Sequence, residues 1–427
     1  MHRNGKLTTL YVVLALAATT VAAAQDDTVP RQQRLTVGGY GEAVYSRHFY
    51  SDNVFRYSHA DRYADAKGYG RFDMPHAVVM LGYDFGHGWS IGTEIEFEHG
   101  GVEAAVEKET EETGEFEQEI ERGGEVALEQ FWLQKSFGRC LNIRAGHIVV
   151  PVGMTNNSHL PTQFFSVYRP EGENTIMPCT WHETGVSLWG RAGDWRYEVQ
   201  LLPGLNSFMF NDAGWVHNGS ASPYEFRPGN NLAAAARLDW SGVDGLRLSV
   251  SGYAGNSFNN DIVTDERSRY ADVKGTVLIG AFDFAYSNRY LTVRGNADYG
   301  FLADALLVSS HNKNQTTMSG NPYPHTTVGS AAYDYALEAG VDLMAWSGKR
   351  QRLFLFGRYD HYDSFIPAEG QADVEWCERR VVSCGVNFRP LPEVSIKAEA
   401  GVRMLADQYN SEPFVGVGVT WAGYFKH

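Results

Sequence analysis

The chain has 427 residues, 43% hydrophobic and 13% aromatic, with 36 basic against 51 acidic side chains and a formal net charge of −15. Nucleic acid is a polyanion that draws basic surfaces, so this acid excess excludes it as a partner. Four cysteines (Cys140, Cys179, Cys377, Cys384) are too few for a disulfide scaffold and match no metal-ligand spacing, so neither a structural bridge nor a cofactor is expected.

Residues 1–24 predict a cleaved secretory signal peptide. Arg3 and Lys6 precede an apolar stretch that starts at Leu7, and Ala22-Ala23-Ala24 before Gln25 is a small-residue cleavage site. Beyond it there is no apolar run of roughly 18 residues, the length a membrane-crossing helix needs. Residues 25–427 contain neither a linker nor a shift in composition, and read as a single domain.

The clearest element is residues 88–100, GWSIGTEIEFEHG. Trp89, Ile91, Thr93, Ile95 and Phe97 alternate with Ser90, Gly92, Glu94, Glu96 and Glu98. Side chains of a strand point alternately to its two faces, so one face is oily and the other carries a row of carboxylates. The pattern recurs along the chain. Trp195, Tyr197, Val199 and Leu201 stand against Arg196, Glu198 and Gln200; Leu246, Leu248 and Val250 stand against Arg247, Ser249 and Ser251. Residues 291–301, 333–343 and 394–404 repeat it.

This rule predicts sixteen strands near 33–46, 71–85, 89–99, 125–138, 140–149, 185–191, 195–203, 230–240, 246–255, 273–287, 290–302, 330–345, 351–361, 377–389, 394–404 and 414–425. Seven connections are short and carry turn formers, such as Gly86-His87-Gly88 and Ala192-Gly193-Asp194. The eight between them are long. Oily faces of about ten residues, an even strand count and loops sorted by edge point to an all-β fold: a transmembrane antiparallel β-barrel with short periplasmic turns and long external loops. Closure satisfies every backbone hydrogen bond in lipid. The charged parity must then face a wet lumen, because a basic side chain on the lipid face costs about 2–4 kcal/mol at midplane.

Two long loops stand out. The one at 100–124 leads into Glu125 and holds a run of glutamates from Glu103 onward, opposed by only Lys108 and Arg122. It reads as a solvated external loop; a sharper reading is a divalent-cation lock to lipopolysaccharide or to a neighbouring subunit. The one at 150–184 is the candidate constriction loop. It carries His159, Arg169, Glu171, Glu173 and His182, the anchoring aromatics Phe164, Phe165, Tyr168 and Trp181, and stiffening prolines at 151, 161, 170 and 178. Fixed charges in a low-dielectric throat act strongly on passing ions. An ordinary external loop is the plainer alternative.

Lumen parity assigns the basic residues Arg144, Arg196, Arg237, Arg247, Arg294, Lys397 and Arg403 to the pore lining. Its acids are Glu94, Glu96, Glu98, Glu198, Asp239, Asp298, Asp334, Glu338, Asp342 and Glu399. That balance is no anion funnel. It suits a transverse field, or ion pairs that hold the wall.

Gly39-Tyr40-Gly41-Glu42-Ala43, Arg71-Phe72-Asp73, the stretch Ala145-Gly146-His147-Ile148-Val149-Val150-Pro151-Val152-Gly153 and the segment PCTWHETG at 178–185 resemble Gram-negative outer-membrane porins, most closely the phosphate-selective porin O and P superfamily. The resemblance implies a sixteen-stranded barrel in the outer membrane, commonly a homotrimer, passing small anionic or polar solutes. Two features depart from it. Phe425 is third from the end where a terminal aromatic is usual, and the lining is not densely basic. The expected function is passive diffusion of small polar or charged solutes. The alternative is a plugged barrel acting through external loops in ligand binding or adhesion. A barrel lipid hydrolase is disfavoured, because Ser187, Ser249 and Ser251 have no nearby histidine on matching parity.

Overall fold

A computed structural model describes residues 34–101, 106–108, 118–120, 124–222, 224–313 and 326–426. The expected signal peptide at 1–24 and most of the acidic loop lie outside the described residues; of that loop the backbone of one short ladder, Val106–Lys108 with Gln118–Ile120, is seen.

All the barrel strands run antiparallel to their neighbours in one closed sheet. In chain order they are β1 (Leu35–His48), β2 in two segments (Tyr69–Asp73 and His76–Gly86), β3 (Trp89–Glu98), β4 (Glu125–Ser136), β5 (Asn142–Val149), β6 (His182–Ala192), β7 (Trp195–Pro203) and β8 (Leu232–Val243). Then come β9 (Leu246–Asn256), β10 (Thr276–Ser287), β11 (Leu291–Leu302), β12 (Ala331–Asp342), β13 (Arg352–Ile366), β14 (Glu378–Leu391), β15 (Val394–Met404) and β16 (Glu412–Lys426). Each pairs with the next, and β16 pairs back onto β1 from Thr36↔Lys426 to His48↔Phe414, which closes the cylinder. Both β2 segments pair with β1, one on each half of it. They are one strand broken at Met74-Pro75, where proline has no N–H for the ladder. The perimeter is therefore sixteen strands.

Burial follows the alternation. Trp89, Ile91 and Phe97 are exposed on the outside while Glu94 and Glu96 are buried inside. Exposed Val199, Leu201, Leu278, Phe301, Leu337, Leu355, Val417 and Val419 continue the apolar outer band around the barrel. Against water such a surface would be unfavourable; against hydrocarbon it is neutral, and this is a membrane-spanning barrel of the outer-membrane type.

The inside differs from a hollow tube. Residues 150–181 run into the lumen, with Val150, Val152, Phe164, Phe165, Val167, Ile176, Met177 and Trp181 buried there. The loop after β7 also turns inward. Trp215 Nε1 donates to the carbonyl of Gly329 at 3.1 Å, and the carbonyl of Asp212 accepts from Ser364 at 2.8 Å. A Cβ on Gly300 would sit 2.1 Å from the Trp215 ring, so this seat requires glycine. A short helix, α1 (Ala60–Tyr63), lies in the loop between β1 and β2. Together with helix α4 (Ala305–Lys313), the inward segments build one apolar cluster in the loop end of the barrel, from Ile148 and Leu202 to Val308 and Ala332.

Candidate functional site: the inserted loop and the vestibule beneath it

The inserted loop is shaped first by its own residues. Gly153, at φ +80°, turns the chain into helix α2 (Met154–Asn157). The first amides of that helix, Met154 and Thr155, each donate to the Glu173 carboxylate at 2.6 Å. A carboxylate satisfies the orphan donors of a helix start and matches its dipole. Any Cβ at Gly153 would lie 1.9 Å from Glu173 Oε1, so only glycine lets the acid close on the turn. Glu173 belongs to helix α3 (Glu171–Ile176), and the loop is folded back on itself by this bond.

Charged side chains from around the wall then grip its backbone. Lys397 Nζ on β15 donates to the carbonyls of Pro161 (2.6 Å) and Ser166 (2.8 Å) and lies 4.0 Å from the centre of the Phe164 ring. Arg294 on β11 donates to the Gln163 carbonyl at 2.8 Å, and Arg389 on β14 to the Thr162 carbonyl at 2.9 Å. Glu338 on β12 accepts from the amide of Phe165 at 3.3 Å and from Arg294 at 2.7 Å; Glu399 accepts from the amide of Val167 at 2.8 Å. Arg237 on β8 reaches the Gly153 carbonyl at 3.0 Å. One segment can meet strands β8 through β15 only from within. Helix α3 is held by Glu171, which pairs with Arg403 at 2.5 Å and accepts from Tyr362 at 2.9 Å. Burial pushes the Glu171 carboxyl up, but Arg403 and Arg379 outweigh it and hold the carboxyl below its ordinary range.

The residues assigned by parity therefore separate into two sets. Arg237, Arg294, Glu338 and Lys397 are buried beneath the loop and engaged with it, and Arg403 clamps its helix. Arg196 and Arg247 line a cavity at the turn end, whereas Arg144 lies over the Trp132 ring and donates to Gln134 at 3.0 Å. Glu94, Glu96 and Glu98 form an acidic wall on β3. Within the loop, His159 lies 3.9 Å from Glu94, and Arg169 donates to Thr180 at 3.2 Å. His182 differs from expectation. The strand begins three residues earlier than predicted and carries it out of the loop; its ring meets His147 at 2.5 Å, on the parity of Thr184 and Val186, away from the lumen.

Beneath the loop, at the turn end, lie three adjoining cavities of about 350, 520 and 440 Å³ that share Asn157, Gln163, Ser241 and Arg247 in their walls. Arg139, Arg191, Arg196, Arg237, Arg247, Arg294, Arg352 and Arg389 line them, against Glu94, Asp194, Asp239 and Asp244. The strand acids near these arginines are consumed in ion pairs: Glu198 and Asp239 with Arg196, Asp283 with Arg237, and Asp342 with Arg352. Arg139, Arg191 and Arg389 have no ion pair among the described residues. Asp194 and Asp244 likewise have no ion pair among the described residues; among the side chains that line the cavities arginine outnumbers acid eight to four, although the lumen as a whole is not basic. Arg352 and Arg389 escaped the parity reading because they sit at the ends of strands, and the β14–β15 register shifts between Phe388 and Leu391. Glu129 escaped it too, since a bulge opposite Glu94 and Ile95 inserts it into the lumen.

No family model matches the chain. An uncharacterized protein of Aquifex aeolicus (strain VF5) is 23% identical over 399 residues, 91% of this chain and 79% of that one. Among solved structures, the Salmonella typhi OmpF complex with daunomycin aligns at TM-score 0.53 and 10% identity, covering 92% of this chain and 99% of that one. An anion-selective porin from Comamonas acidovorans aligns at 0.52 and 10%, covering 91% and 99%. The outer membrane channel DcaP of Acinetobacter baumannii aligns at 0.50 and 13%, covering 91% and 97%. At such identities the likeness carries the fold: the chain is a sixteen-stranded outer-membrane barrel with the architecture of the porins.

Proposed function

We propose that this barrel is a diffusion porin for small polar or charged solutes, constricted by the loop at 150–181, with a turn-end vestibule that favours anions. The observation that carries the reading is that arginines outnumber acids eight to four among the side chains lining the cavities beneath the loop. In a cavity walled by protein, fixed positive charge concentrates anions and repels cations. The resemblance to phosphate-selective porins agrees with that sign. The same reading takes the assembled state as a homotrimer, held among lipid and lipopolysaccharide.

The test is planar-bilayer conductance of the refolded barrel under a salt gradient. Anion-selective reversal potentials are expected, moving toward zero when Arg139, Arg191 and Arg389 are replaced by glutamine, with current steps in multiples of three for a trimer. A second reading draws on the apolar cluster at the loop end: a plugged barrel whose external loops bind a ligand. A folded protein that conducts nothing would overturn the diffusion reading in its favour.

A further inference from the structure

His76 opens the second segment of β2 and pairs in register with Glu98 of β3. Glu96 lies two residues before Glu98 on the same face, so neighbouring strands present all three side chains to the lumen side by side. One ligand atom from each lies within 4.8 Å of the others, and His76 Nδ1 is 2.5 Å from Glu96 Oε1. Glu96 is almost fully buried, while His76 and Glu98 are half-buried and reachable from the lumen. A further carboxylate turns toward the cluster from β1: Glu42 Oε1 is 3.6 Å from His76 Nε2. Glu42 is 4% exposed, and its Oε2 has no hydrogen-bond partner among the described residues. Arg169 of the inserted loop donates to Thr180 and makes no ion pair with these acids among the described residues, although its charge acts on Glu96 and Glu42 from a longer distance.

From this geometry we infer that His76, Glu96 and Glu98 form a binding site for a divalent transition-metal ion, with Glu42 beside it and water completing the coordination from the lumen. One imidazole nitrogen and two carboxylate oxygens are a zinc-type donor set, with bonds of about 2.0–2.2 Å that small side-chain rotations reach from the present spacing. The imidazole separates this site from magnesium and calcium sites, which are built from oxygen alone. Strands, unlike loops, hold such ligands rigidly. The site stands independently of the transport reading, since binding is measured without a membrane current.

The experiment is calorimetric titration of the full, untagged, refolded barrel with Zn²⁺ in detergent at neutral pH, with Mg²⁺ as comparison. Wild type is expected to bind zinc and to show no comparable heat with magnesium. Glu98→Gln is nearly isosteric and half-exposed, so it keeps the fold; it and His76→Gln should each weaken the site at least about tenfold. His147→Gln is the control, because the His147–His182 pair on the other face also offers imidazoles; it should leave the site intact. Heat-modifiable gel mobility verifies that each variant is folded. Absence of zinc binding at millimolar concentration overturns the proposal. So does wild-type affinity in both His76→Gln and Glu98→Gln, and so does loss of all binding in His147→Gln.

Discussion

Lys397 gives the sharpest test of how the inserted loop is held. Its side chain is 1% exposed, and its ammonium serves two loop carbonyls, those of Pro161 and Ser166. Lys397→Met keeps the length of the side chain and removes both donors. Each buried carbonyl left without a partner costs about 1–3 kcal/mol, so seating residues 161–167 becomes about 4 kcal/mol less favourable. The relief of no longer burying an ammonium offsets part of this. At about 1.4 kcal/mol per decade, the local opening equilibrium rises by roughly two to three orders of magnitude. The amides of Phe165 and Val167, which donate to Glu338 and Glu399, report that opening. Hydrogen–deuterium exchange of peptides covering 160–168 should accelerate by about a hundredfold or more, while strand peptides stay protected. An acceleration below about tenfold would falsify the claim that this ammonium seats the loop.

Other consequences follow from the same geometry. The folded Glu171 carboxyl sits below its unfolded value, so its contribution is complete above the unfolded pKa of about 4.3 and fades as pH falls through the lower folded value. Protease resistance at 171–176 should thus hold at neutral pH and drop under strong acid, and Glu171→Gln should lose that dependence. Gly300→Ala drives a methyl into the Trp215 ring, and overpacking of this kind costs about 1–3 kcal/mol; a lowered melting temperature with an intact barrel is expected, and an unchanged one would show that Trp215 is not seated there. Val199→Arg puts a cation on the mid-strand outer face, where Val199 is 52% exposed. Urea titration in lipid vesicles should register a loss of about 2–4 kcal/mol, against almost none for Val199→Leu.

Much of the architecture was legible without coordinates because a strand's two faces are decided residue by residue. The row from Trp89 to Glu98 states its own inside and outside, and the predicted strands fall within a few residues of the observed ones for most of the barrel. Departures mark places where a local rule meets a nonlocal one. Pro75 splits β2 because it has no amide to give β1. The bulge at Glu129 flips parity because two residues there face one on β3. His182 joined a strand because β5 offered it a partner in Val149.

The period of two in the chain, with the sorting of its short and long connections, was enough for the barrel, its strand number and the face that most strand side chains take. Where the long loops go was a matter for the folded state. Nothing near Pro161 or Ser166 announces that Lys397, 236 and 231 residues away, will take their carbonyls. Nothing around Asp212 announces Ser364. Likewise, a count of lumen charges cannot show which are cancelled: Asp342 is spent on Arg352, while Arg389 is left facing the vestibule. Alternation is written in neighbouring residues. Insertion of a loop and cancellation of a charge depend on which distant strands the closed cylinder brings face to face.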